Sequence, residues 1–240
     1  MALLECKALT KRFEQKTALD SVNLTFESGK IYGLLGKNGA GKTTLIKLIN
    51  SLLTPSSGEI LFKGEKLGIG SKKGISYLPE RTYLDKGMTA EQVFKLFSEF
   101  YDNFNIEKAR KLLGELGLQG DVKLSKMSKG MLEKLQLILV LSRDAELYIL
   151  DEPLGGVDPA ARDYIIDTIL ANFSEGASII ISTHIISDIE RILDEVIFID
   201  EGKIFLTSPA DELREKENAG IDEIGDVDPG KTLGNHATDA

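Results

Sequence analysis

Ile31-Tyr32-Gly33-Leu34-Leu35-Gly36-Lys37-Asn38-Gly39-Ala40-Gly41-Lys42-Thr43 is the stretch that decides the fold. Residues 31–35 form a short apolar strand, residues 36–43 satisfy G-x-x-x-x-G-K-[ST], and residues 42 to about 53 read as a helix stopped by Thr54-Pro55. Glycines let such a loop curl until successive backbone N–H groups point inward at phosphates, and the following helix adds its positive end. Lys42 then reaches the β- and γ-phosphates, and Thr43 offers a hydroxyl to Mg²⁺. The same formula recurs at residues 225–232, but no apolar strand precedes it. Asp226 and Asp228 would repel phosphate there, and Pro229 lacks the N–H a cradle needs, so that copy is a chance match.

Upstream, LLECKALTKRF and ALDSVNLTFESGK read as an antiparallel prelude of strands. Downstream, Val93, Leu96, Phe97, Phe100, Tyr101 and Phe104 follow helical spacing, and a second helix runs from Ile106 to Leu116, which predicts an inserted helical subdomain over about 81–140. The aromatic stripe reads either as a buried core face or as a docking surface. LYILDE and ASIIIST then restore short, wholly apolar strands of the doubly covered parallel kind, with a helix around residues 163–173 between them.

At 240 residues the chain suits one elaborated α/β domain, and no apolar run approaches the roughly 18 residues that span a bilayer. The first residues lack the apolar stretch of a secretory signal, and Cys6 is the only cysteine, so a reducing cytoplasm is the expected setting. The net charge of -9 argues against a nucleic-acid partner. Much of that charge sits in residues 211–240, which hold nine Asp or Glu against three Lys or Arg. Residues 217–240 read as an acidic, disordered tail on a domain spanning 1–216.

Leu147-Tyr148-Ile149-Leu150-Asp151-Glu152 is an apolar strand ending in two carboxylates. That arrangement suits division of labour, with Asp151 holding Mg²⁺ and Glu152 orienting and deprotonating a water. Ser128 is a suitable N-cap for a helix carrying Leu132, Leu135, Ile138 and Leu139. Taken in order, the cradle, MSKGM at 127–131, LYILDE, GGVD at 155–158 and His184 in STH resemble the ABC ATPase family over essentially residues 3–210.

The resemblance implies a P-loop NTPase three-layer α/β core with an N-terminal antiparallel β subdomain and an inserted helical subdomain. It implies ATP and Mg²⁺, with nucleotide contacts along the loop from Gly36, Lys37, Asn38, Gly39, Ala40, Gly41, Lys42, Thr43 and Thr44. Ser128, Lys129 and Gly130 fall where the family places the signature loop that meets the γ-phosphate of a facing subunit. His184 resembles the histidine that contacts that phosphate, against the plainer reading of a structural histidine. Asp158 resembles the dimer-interface aspartate, or is a turn acid before Pro159. Phe13 resembles the aromatic that stacks on adenine, or is a buried strand phenylalanine.

Glu80 occupies the place of the family's usual glutamine, a Mg²⁺ and water ligand, and Lys129 and Met131 replace a usual glycine and glutamine. These departures resemble the drug- and antibiotic-export branch. The implied protein is a transporter's ATP-hydrolysing motor, dimeric with itself or a paralogous ATPase subunit. It would be bound through a separate transmembrane permease to the inner face of the cell membrane. A soluble ABC ATPase of translation or DNA repair is the competing reading. Such proteins tend to carry two cassettes or a long coiled-coil insertion, and only some 60 residues separate Glu80 from the end of the signature helix.

Overall fold

The structure is a computed structural model that describes residues 2–14 and 16–212. The chance phosphate pattern at 225–232 and the acidic tail expected over 217–240 lie outside them. In chain order the elements are β1 (Ala2–Phe13), β2 (Lys16–Glu27), β3 (Ile31–Leu35), α1 (Lys42–Ile49), β4 (Ser57–Phe62), β5 (Glu65–Lys66), α2 (Ile69–Gly74), β6 (Ile75–Leu78), α3 (Ala90–Phe100), α4 (Ile106–Glu115), α5 (Lys129–Leu141), β7 (Leu147–Asp151), α6 (Pro159–Asn172), β8 (Ser178–Thr183), β9 (Glu195–Asp200) and β10 (Lys203–Pro209). Among the described residues no helix is long and apolar enough to cross a membrane.

Two sheets result. One is antiparallel, in the order β2-β1-β4-β5, and the other runs β10-β9-β3-β8-β7-β6, parallel except at β10. The inner strands are apolar throughout because both of their faces are covered. Successive residues of β7 serve different layers. Leu147 and Ile149 pack with the antiparallel sheet and α1, whereas Tyr148 and Leu150 pack with the helices. β8 does the same, Ile180 facing the first layer and Ile179 and Ile181 the second. The period-2 geometry of a strand thus makes three layers out of two runs of isoleucine and leucine.

Register fixes the working edge. Leu35 pairs with Thr183, Asp151 with Ser182 and Leu78 with Leu150. The parallel strands therefore end together, and Gly36, Glu80, Glu152 and His184 all emerge at that edge. Open α/β sheets present ligand sites at this carboxyl end.

Three local features differ from the sequence reading. α1 ends at Ile49 rather than near residue 53, because the Asn50 side chain donates to the Ile46 carbonyl at 2.9 Å and Ser51 takes a left-handed φ of 55°. The amides of Leu52 and Leu53 then turn back to Lys47. α6 begins a turn earlier than expected, since Asp158 accepts from the Ala160 amide at 2.9 Å and Pro159 fills the first helical position, where no N–H is required. The aromatic stripe divides: Val93 and Phe104 are buried, Phe97 and Tyr101 pack partly buried against the core, and Leu96 and Phe100 are exposed. Phe94, outside that stripe, is the wholly buried aromatic of α3.

Candidate functional site

Gly36 has φ 154°, and a Cβ there would run into the Ile199 carbonyl, so the loop can leave β3 at this angle only with glycine. Gly41 has φ 120°, and a Cβ on it would lie 2.9 Å from the Ala18 carbonyl. The loop is thus wedged between β2 and β9, with the Ala40 amide donating back to the Lys37 carbonyl at 3.1 Å. Lys42, the first residue of α1, is buried although charged. Its Nζ donates to the Gly36 carbonyl at 2.6 Å and lies 3.8 Å from Glu152 Oε1. Burial pulls the lysine below its ordinary pKa, while Glu152 and Asp151 oppose that pull.

Asp151 closes β7, 1% exposed. Its Oδ1 accepts from Ser182 Oγ at 2.5 Å and, at a long 3.4 Å, from Thr43 Oγ1, while its Oδ2 is buried with no hydrogen-bond partner. Burial raises its pKa, partly countered by the hydroxyls of Ser182 and Thr43. A buried carboxylate oxygen without a donor is costly unless a cation completes it. The donor set fits Mg²⁺: one carboxylate oxygen, with Thr43 and Glu80 bordering the same recess as Asp151. Among the described residues no group of three His, Cys, Asp or Glu could hold a metal by itself.

Glu152 follows with φ 51°, a left-handed conformation uncommon outside glycine. Its Oε2 lies 3.0 Å from His184 Nδ1, and the two side chains differ in exposure, 15% for Glu152 and 46% for His184. The histidine thus stands in solvent at the mouth and touches the acid inside.

Beside the buried Asp151 and Ser182 opens a cleft of about 930 Å³ that neither of them borders. Phe13, Lys37, Asn38, Gly39, Gly41, Lys42, Thr43, Thr44, Glu80, Lys129, Glu152 and His184 border it. Phe13 is 43% exposed, which excludes a buried strand phenylalanine, and Lys11 Nζ sits 5.0 Å from its ring centre. Gly36 and Ala40 form the base of the loop without bordering the cleft.

Ser128, Gly130 and Asp158 stand outside it. Ser128 caps α5, its Oγ accepting from the Met131 amide at 3.2 Å, and that helix end is exposed. Asp158 is exposed and caps α6. Ser182 escaped sequence reasoning, although a serine breaking the apolar run of β8 two residues before His184 was a signal for it. Arg162 and Asp188, paired at 2.6 Å, were also missed; they join α6 to the segment after His184.

The family model for the ABC transporter matches residues 19–155, more than half of the chain. ABC transporter ATP-binding protein YtrB of Bacillus subtilis (strain 168) is 31% identical over 218 residues, covering 89% of this chain and 74% of that protein. Lantibiotic transport ATP-binding protein SrtF of Streptococcus pyogenes is 33% identical over 211 residues, covering 87% of this chain and 92% of that one. Among solved structures, an ATP-binding subunit of an ABC transporter is 30% identical with a TM-score of 0.80, covering 90% of this chain and 93% of its own. A glycine cradle, an acidic strand end and a histidine gathered on one sheet edge agree with these likenesses, and the chain belongs to the ABC transporter family, as an ATP-binding subunit with the fold of its ATPase cassettes.

Proposed function

We propose that the chain is the ATP-hydrolysing motor of a membrane exporter whose spanning permease is a separate polypeptide, and that it works on the inner face of the membrane. The observation that carries this reading is the convergence of Lys42, Asp151, Glu152 and His184 at the ends of three neighbouring parallel strands, beside a glycine-rich loop. The adenine would stack on Phe13, while Lys42 and the loop amides grip the phosphates. Thr43, Asp151 and Glu80 would hold Mg²⁺, which when bound neutralises charge on the β- and γ-phosphates. Glu152 orients and deprotonates the attacking water. His184, against Glu152, places an imidazole where the γ-phosphate ends.

Two copies would face each other head to tail. The exposed, serine-capped start of α5, with Ser128, Lys129 and Gly130, suits the γ-phosphate held by a neighbour, while Lys129 also borders its own cleft. Asp158, exposed at the start of α6, would lie at that interface. Transport out of the cell is inferred from the signature and Glu80 departures.

The test is ATP-dependent association. Glu152→Gln protein, mixed with ATP and Mg²⁺, should convert from monomer to dimer in analytical ultracentrifugation, and Ser128→Arg should abolish the conversion. A chain that releases phosphate at full rate while strictly monomeric would overturn the dimer, and one that binds no ATP would overturn the whole reading.

A further inference from the structure

Ser182 ends the apolar run of β8 and stands opposite Asp151 in the parallel β7–β8 register. It is wholly buried. Its single hydroxyl proton goes to Asp151 Oδ1 at 2.5 Å. The Glu152 amide donates both to Ser182 Oγ, at 3.1 Å, and to the Ser182 carbonyl, at 3.0 Å. One side chain thus touches the last acid of β7 and the backbone of the acid after it.

Both contacts have a consequence for the site. With Oδ1 accepting from Ser182 and, at a long 3.4 Å, from Thr43, Oδ2 is the oxygen left buried without a partner. Glu152 holds a φ of 51°, and its amide is tethered twice to the same serine. Strained conformations of this kind persist where surrounding bonds over-determine them.

We propose that Ser182 is a positioning residue that commits Oδ1 of Asp151, leaves Oδ2 as the oxygen for the magnesium ion accompanying ATP, and steadies the turn that aims Glu152. The proposal rests on the nucleotide-site reading above. Partners that orient a metal ligand are typically worth roughly 10- to 100-fold in metal affinity when removed. Ser178 provides an internal control. It lies on the same strand, is equally buried, and spends its hydroxyl on the Glu27 carbonyl at 3.0 Å, away from both acids.

ATP binding to the full chain, followed by calorimetry with magnesium chloride or with EDTA, separates positioning from simple packing. In Ser182→Ala the Mg²⁺ concentration needed for tight ATP binding should rise roughly 10- to 100-fold, while ATP affinity in EDTA stays as in the unaltered chain. Ser182→Thr, which keeps the hydroxyl, should restore the original Mg²⁺ dependence. Ser178→Ala should lower the melting temperature and leave that dependence alone.

Unchanged Mg²⁺ dependence in Ser182→Ala overturns the proposal, as do equal losses with and without the metal. Should Ser182→Ala fail to fold, Ser182→Cys, a weaker donor, must show the same shift, and an unshifted value overturns the proposal equally. Absence of ATP binding by the unaltered chain overturns the nucleotide-site reading and this inference with it. Normal binding there with an unshifted Ser182→Ala overturns this inference alone.

Discussion

His184 Nδ1 and Glu152 Oε2 are 3.0 Å apart, joining the residue after β8 to the residue after β7 across neighbouring strand ends. The contact holds the carboxylate on one side while Lys42 Nζ, 3.8 Å from Oε1, holds it on the other. A general base is effective only when its orientation is set before the proton moves. Glu152→Gln retains the shape and removes the carboxylate proposed as the base. Phosphate release should fall by roughly 10²- to 10⁴-fold while ATP affinity is kept. Steady-state hydrolysis at the unaltered rate would remove Glu152 from the mechanism.

Lys42 is the buried cation of the cleft, and its ammonium has three protons to give. Lys42→Ala deletes charge-assisted bonds worth about 1.5–3 kcal/mol each, so ATP binding should weaken on the order of 10- to 100-fold or more. Equilibrium binding of a fluorescent ATP analogue measures this, and an affinity within twofold of the original would show that the phosphates lie elsewhere.

Arg143 is buried and donates to the carbonyls of Ile75, Lys72 and Lys73, while its guanidinium lies 3.9 Å from the centre of the Tyr101 ring. It fastens the start of β6 to the helical layer. Arg143→Met fills part of the volume but leaves those carbonyls without their donor, and should cost about 3 kcal/mol or more in urea unfolding. Arg143→Lys should recover only part of the loss, because an ammonium cannot match a planar fork. Loss of under 1 kcal/mol in the methionine variant would contradict this role.

Burial pushes the Cys6 thiol up from 9.0 to about 12. For a group raised in the folded state, the associated stability is fully present below pH 9 and is lost as pH climbs from there toward 12. At pH 8 the native thiol should react with iodoacetamide slower than in denaturant on the order of a thousandfold or more, since reaction awaits opening. Mass spectrometry of timed samples checks it; labelling at the denatured rate would place Cys6 at the surface.

The cradle and the acid pair are legible in the sequence because each is a local code: glycines at fixed offsets, then an apolar strand that ends in charge. Ser128 as a helix cap is local too, and it caps α5. What escapes the sequence depends on neighbours distant along the chain. Ser182 is an ordinary strand serine until β7 lies beside it, 31 residues away in sequence. Phe94 and Phe100 are alike as residues, and only the packing of α3 buries one and exposes the other. The early end of α1 follows from Asn50 bonding back to Ile46, a choice that helical periodicity cannot express.

The alternation along β7 has a mechanical corollary. Ile149 leans on the antiparallel sheet and Leu150 on the helices, yet both belong to the five-residue strand that terminates in Asp151. A methyl group trimmed from either side slackens the same short strand, so both layers bear on the position of one acid. Damage far below the rim, on whichever side it begins, has a route to Asp151 along five residues.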